Sequence, residues 1–344
     1  MSGIDARLAE IVDEQFDPRW GAPWWLERAR ELDFDPRREL RRVEDLARLP
    51  AVPTQALASL PVETFVPRRL HTDRTAWILS ETGGTTGPPA RTVFLDDDFE
   101  AAFVTPFVTA ARRMGFPTGR SWLYLGPSGP HVIGKAARAC ARALGALEPF
   151  TVDLDPRWVR KLPPDSLARH RYTEHVVAQA LAILESQEIG VLFATPPLVA
   201  TLGERLDARL RERVAGVHLG GMAADAGFWK RLAEDWFPKA VALAGYGNSL
   251  AGVCPQIAPT GPDGPEYFAH GERLVIDVVG ANEQGRGRVR FHRFDRSALL
   301  PSVLERDEAA VATLGAADHD GFHATGLRDP RPPRDATALS EGLY

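Results

Sequence analysis

"TEHVVAQALAILESQEIGVLFATPPLVATLGERLDARLRERVAGVHLGG", residues 173–221, decides the fold. "TEHVVAQALAILESQ" repeats its apolar residues at helical spacing, and "IGVLFAT" is a short, unbroken apolar run. "PPLVATLGERLDARLRERV" is helical again, and "AGVHLGG" is a second short run. Continuous apolar runs of strand length set between amphipathic helices mark strands that are covered on both faces. The pattern continues in "DAGFWKRLAEDWF" and "AVALAG", and it begins upstream with "TAWIL". The expected class is therefore α/β, a parallel sheet covered by helices. Residues 1–75 read as a helical segment packed on that core. Trp20, Trp24, Trp25 and Leu26 form its apolar cluster, and Pro50, Pro53 and Pro61 cut it into turns. Beyond Pro259 the helical period fades, and "ERLVIDVVG" and "GRVRFHRFD" read as paired strands. Residues 76–260 are thus expected to form the α/β core and 261–344 a smaller β-rich subdomain.

Bulk properties exclude several function classes. At 344 residues the chain exceeds what one compact core usually covers. A formal charge of -5 argues against a nucleic-acid binder, so "RWVRKL" and "RHRY" read as solvated helix faces. Cys140 and Cys254 supply neither a disulfide framework nor metal spacing. The opening "MSGIDARLAEIVDEQ" lacks the apolar stretch of a secretory signal, and no apolar run approaches the roughly 18 residues of a membrane span. The expectation is a cytoplasmic protein with no membrane partner.

In a parallel α/β sheet, ligands sit beyond the carboxyl ends of the strands. Three loops there stand out: "SETGGTTGPPA", "LGGMAAD" with Gly220 and Gly221, and "GYGNSLAG". The first is small and hydroxylated, a composition that lets an anion reach backbone amides and threonine hydroxyls. An ordinary turn has the same composition. The G-x-x-x-x-G-K-[ST] phosphate loop is not met, because Pro88 and Pro89 follow Gly87, and no Rossmann fingerprint is present.

"TGGTTGPPA" resembles the phosphate loop of the AMP-forming adenylating enzymes, the superfamily of acyl-CoA synthetases, peptide-synthetase adenylation domains and luciferases. "GYGNS" falls where that family carries Tyr-Gly-x-Thr-Glu, and "VEDLARLPAVPTQAL" is similar to the N-terminal lead-in of phenylacetate-CoA ligases. "VLERDEAAV" matches the family's ribose-binding strand, and "GFHATGLRDP" its hinge to a C-terminal lid. The resemblance implies the large N-terminal domain of the adenylate-forming fold with ATP and magnesium as its cofactors. Thr82, Gly83, Gly84, Thr85, Thr86 and Gly87 would hold the phosphates, with Gly220, Gly221, Gly245, Gly247 and Asn248 lining the nucleotide. Tyr246 would stack on adenine, Asp307 would bind ribose, and Ser249 would stand near the α-phosphate. The carboxylic acid would enter beside "YLGPSGPHVIGKAARACARAL". There Ser128 is expected to cap a helix and His131 to face the carboxylate at its N-terminus, unless His131 donates to a carbonyl instead. Phe103 and Phe107 would suit an aryl or fatty acid, or belong to the core.

The departures from the family are specific. Leu250 replaces the magnesium-binding glutamate, Met222 a glutamate of a "GGE" pattern, and Ala90 a lysine or threonine beside which Arg91 offers charge. Hard oxygen ligands are required for magnesium, so its ligands are left unassigned. The four lysines end at Lys239, and the expected lid lysine and lid are absent. Such a form resembles the LuxE-type acyl-protein synthetases and the stand-alone adenylating proteins of phenazine pathways. No cysteine follows Cys254 to accept an acyl group, so the acyl-adenylate would pass to an acceptor or partner reductase. A homodimer is compatible with the strand edges that a missing lid would uncover. Two other readings remain. One is a degenerate nucleotide or carboxylate binder. The other is a serine hydrolase in which Ser249 of "GNSLA" precedes Asp277, Asp320 and His323, although Pro255 and Pro259 oppose the helix an elbow serine needs.

Overall fold

The computed structural model describes residues 2–83, 88–163, 165–315 and 319–333. A hairpin of β1 (Ile78–Glu81) and β2 (Arg91–Phe94) pairs Ile78 with Phe94 and Glu81 with Arg91. Next come β3 (Ser121–Gly126), β4 (Phe150–Asp153), β5 (Ile189–Ala194), β6 (Gly216–Leu219), β7 (Val241–Asn248) and β8 (Gly252–Pro255). They form one sheet in the order β4-β3-β5-β6-β7-β8, parallel throughout except for the antiparallel β7–β8 pair. Its apolar runs do not alternate because both faces are covered. Along β5, Val191 and Phe193 enter one core cluster while Leu192 and Ala194 enter the other. Helix Val132–Ala143 joins the first through Val132, Ala136, Ala137 and Cys140, and helix Leu167–Ser186 joins the second through Val176, Val177, Ala180 and Leu184. These are the helical spacings read from the sequence, and each large side chain so buried contributes roughly 1.5–3 kcal/mol.

The remaining strands, β9 (Glu266–Tyr267), β10 (Leu274–Val279), β11 (Arg286–Phe294), β12 (Leu299–Thr313) and β13 (Thr325–Arg331), form an antiparallel sheet in the order β10-β11-β12-β13-β9. The α/β class with a parallel sheet and a separate antiparallel sheet is as expected. Most of the "GFHATGLRDP" segment read as a hinge is strand β13, paired with β12 and β9 and so fixed within this sheet. Among the described residues, no helix is long and apolar enough to cross a membrane.

The N-terminal helix Gly3–Gln15 starts in a capping box between Ser2 and Asp5. Its end is tied to the antiparallel sheet: Gln15 donates through Nε2 to the Arg296 carbonyl at 3.1 Å, and Trp25 Nε1 donates to Leu299 at 3.2 Å. A buried ion cluster joins the layers. Arg273 grips Asp295 with two bonds of 2.7 and 2.6 Å, and Arg293 donates to the same carboxylate. Arg293 also donates to Thr92 Oγ1 (2.9 Å) and the Leu250 carbonyl (2.8 Å), and Arg273 to the Ala251 carbonyl (2.7 Å). The turn between β7 and β8 is thereby clamped to the hairpin.

Candidate nucleotide site

The neck of the hairpin loop is closed from both sides. The Thr82 amide donates to the Ala90 carbonyl at 2.9 Å, and the Ala90 amide returns a 2.9 Å bond to Thr82 Oγ1. Gly84, Thr85, Thr86 and Gly87 lie outside the described residues. Below the neck, Glu81 is held by two guanidiniums: Arg91 Nε at 2.7 Å and Arg157 Nη2 at 2.6 Å. Burial pushes the Glu81 carboxyl up, but Arg157 and Arg91 outweigh it and hold it below the usual carboxylate range. Arg91, which the sequence offered as a replacement charge beside Ala90, is therefore neutralised by Glu81. Arg160 donates to the Gly83 carbonyl at 2.6 Å, so a second arginine of the helix Pro156–Lys161 touches the loop.

This corrects the reading of "RWVRKL" as a solvated face. Arg157 and Arg160 are three apart, hence neighbours on one side of that helix, and this side faces the hairpin. The intervening Trp158 is 52 % exposed.

Tyr246 on β7 donates its hydroxyl to Asp307 Oδ2 on β12 at 3.2 Å. Burial, then Asp307 and Glu305, raise the Tyr246 hydroxyl well above its ordinary value, so it stays protonated and donates. Burial raises Asp307 too, against the Tyr246 hydrogen bond and Arg306. Glu305 was not singled out in the sequence. It lies two residues before Asp307, on the same face of β12, and accepts from Asn248 Nδ2. Burial, then the Asp307 charge, push its carboxyl up to about 7. The Arg306 charge opposes the rise of Glu305 and Asp307 and, as a like charge, lowers Arg160.

The strand ends contribute less uniform pieces. Gly245 sits where an added Cβ would come within 2.8 Å of Val253, which keeps β7 and β8 close. Gly220 packs over Phe193, and Gly221, at φ +80°, takes the left-handed turn that leaves β6. Gly247 is exposed beside Tyr246. The Ser249 carbonyl accepts from Ser80 Oγ at 2.6 Å. Behind Ser249 runs strand β8 instead of a helix. Asp277 pairs with Arg290 and Asp320 with Arg113, while His323 bonds the Gly271 carbonyl through Nε2 at 2.6 Å. No hydrolase triad forms.

His131 is the N-cap residue of the helix Val132–Ala143, with no cap bond from its side chain. Ser128, expected as the cap, instead donates its amide to Asp153 Oδ1 at 2.9 Å, because Gly129 at φ +68° turns the chain before the helix begins. Burial, then the charge of Arg157, lower the His131 pKa and favour the neutral ring. Lys135 on the same helix donates to the Leu79 carbonyl at 2.8 Å, fastening the helix to the hairpin. Phe103 and Phe107 are core residues, 4 % and 2 % exposed.

Leu250 offers no magnesium ligand here. Leu250 is 3 % exposed, its side chain in the core and its carbonyl held by Arg293. Among the described residues no group of three or more His, Cys, Asp or Glu is placed to hold a metal.

No protein-family model matches the sequence, and no curated protein matches it. Solved structures do resemble it. A 2-hydroxyisobutyryl-CoA ligase in an open conformation, in complex with 2-HIB-AMP and CoA, superimposes with a TM-score of 0.65 at 17% identity. That match covers 95% of this chain and 72% of the ligase. The same ligase in its postadenylation state with 2-HIB-AMP gives 0.66 at 16% identity, covering 95% and 66%. The chain has the fold of the N-terminal domain of adenylate-forming enzymes. It spans about two thirds of the length of these ligases. Arg157, Arg160 and Glu305, which lie beside the candidate residues, were not singled out in the sequence. The i,i+2 spacing to Asp307 was the one signal that could have found Glu305.

Proposed function

We propose that this chain activates a carboxylic acid with ATP, forming an acyl-adenylate and releasing pyrophosphate. The observation that carries the reading is the hydrogen bond from Tyr246 on β7 to Asp307 on β12, with the Thr82–Gly83 neck held by Arg157 and Arg160. In this reading Tyr246 stacks on adenine, Asp307 binds ribose, and Gly220, Gly221, Gly245, Gly247 and Asn248 line the nucleotide. Thr82 and Gly83, with Gly84, Thr85, Thr86 and Gly87, hold the phosphates, and Ser249 stands near the α-phosphate. A carboxylate oxygen attacks the α-phosphorus, the bond from that phosphorus to the bridging oxygen breaks, and pyrophosphate leaves with the electron pair. The chain's part is alignment and charge stabilisation. His131, neutral through burial and Arg157, orients the carboxylate by donating a hydrogen bond. Magnesium bound by ATP would neutralise phosphate charge; among the described residues no group of three or more His, Cys, Asp or Glu is placed to hold it.

The substrate we favour is an aryl or fatty acid. The reactive mixed anhydride passes to an acceptor or partner reductase or transferase, in a specialised cytoplasmic pathway of the kind served by the phenylacetate-CoA ligase-like branch, and the chain works as a homodimer. ATP/pyrophosphate exchange across a panel of aryl, heteroaryl and fatty acids tests this, with one acid class expected to support exchange. A second reading, a nucleotide or carboxylate binder without turnover, is favoured by the burial of Leu250. Folded protein that binds ATP but exchanges with no acid would select it.

A further inference from the structure

Arginines around the loop neck outnumber the carboxylates they reach, since Arg91 and Arg157 share Glu81. Arg157 gives one bond to Glu81, yet its Nε is buried and has no partner among the described residues. Arg160 spends Nη1 on the Gly83 carbonyl, and its Nη2 lies 3.1 Å from where a Cβ on Gly83 would stand. No carboxylate among the described residues pairs with Arg160 or Arg306, whereas Arg91 and Arg290 nearby each reach one. Burial, then repulsion from Arg306 and Arg157, lower the Arg160 pKa, a sign of like charges held close. An arrangement of that kind is stabilised by an anion with several oxygens, and guanidinium forks match phosphate oxygens two at a time.

We infer that Arg157, Arg160 and Arg306 form a polyphosphate clamp, which grips the β- and γ-phosphates with guanidinium charge where the buried Leu250 side chain offers no metal ligand. The inference rests on the nucleotide reading and deepens it. Arg306 is adjacent to Asp307 in sequence, while Arg157 and Arg160 reach the loop neck from the helix Pro156–Lys161. The clamp's specificity is for the phosphate chain, so AMP lies outside its reach.

The test is calorimetric titration of the full chain with ATP, AMP and inorganic tripolyphosphate, in chelator to remove divalent ions. Arg306→Ala changes an exposed side chain, Arg160→Ala a half-buried one, and Arg160→Lys keeps the charge without the fork; melting curves confirm folding of each. The wild type should bind ATP and tripolyphosphate without metal. Each alanine variant should lose about tenfold in affinity for both, the double variant about a hundredfold, and AMP should stay within about twofold. Arg160→Lys should recover part of the loss. Parallel loss of AMP and ATP, no loss at all, or wild-type ATP binding that requires magnesium would overturn the clamp. Binding of tripolyphosphate through these arginines with no binding of AMP and no exchange would uphold the clamp and sink the adenylation reading instead.

Discussion

Two groups of arginines carry opposite jobs. Arg273 and Arg293 are buried around Asp295, with their donors used on that carboxylate and on fixed carbonyls. Arg157, Arg160 and Arg306 are half-buried or exposed, and a donor of Arg157 has no partner among the described residues. The first group is complete without a ligand and holds the β7–β8 turn in place. The second has unmet charge, which the clamp reading assigns to a phosphate chain. Residue type is shared, and the supply of carboxylates and burial separates structure from binding.

The largest effect expected from breaking this comparison is on the first group. Arg293→Ala leaves Asp295 with one guanidinium and frees the Leu250 carbonyl, so chemical denaturation should read a loss of roughly 3–5 kcal/mol. Leu250→Glu should cost about 3 kcal/mol because it places a carboxylate in the core, and should not create magnesium-dependent binding. A folded Leu250→Glu variant that gains magnesium-dependent exchange would show that the side chain can turn into the site.

Glu305 gives an intermediate effect that depends on pH. Its carboxyl titrates at about 7 in the fold against 4.5 for the ordinary group. The folded state thus keeps a proton that the unfolded chain releases. Stability is full below the unfolded value, falls as pH rises from 4.5 to about 7, and is level above that. Glu305→Gln should flatten this slope and gain at most on the order of 3 kcal/mol at pH 8, read by melts across the pH range. The smallest effect on stability belongs to Arg160→Ala, expected within about 0.5 kcal/mol although ATP affinity falls.

Much of the fold was legible in the sequence because both faces of the sheet are buried. The runs around β5 and β6 had to be apolar throughout, and their helices had to repeat at helical spacing. The hairpin loop was legible from its glycines and threonines, and the Tyr246–Asp307 pair from the family resemblance. The arginine side of the site was not. Pro156–Lys161 is a six-residue helix whose charges look solvated in one dimension. Only the crossing from β4 brings Arg157 and Arg160 to Glu81 and Gly83. Leu250 read as a missing ligand, and its direction became clear only once Arg293 and Arg273 were seen to hold the backbone of that turn.

The central claim is that the Tyr246–Asp307 end and the arginine-lined loop end bind one ATP for transfer of its adenylyl group to a carboxylate. Its most direct measurement is mass-spectrometric detection of acyl-AMP, with pyrophosphate counted in parallel, after mixing the chain, ATP and the acid that supports exchange. The account predicts acyl-AMP and pyrophosphate in equal amounts, and loss of both in Asp307→Ala. Protein that is folded, binds ATP and yields neither product with any acid would contradict it.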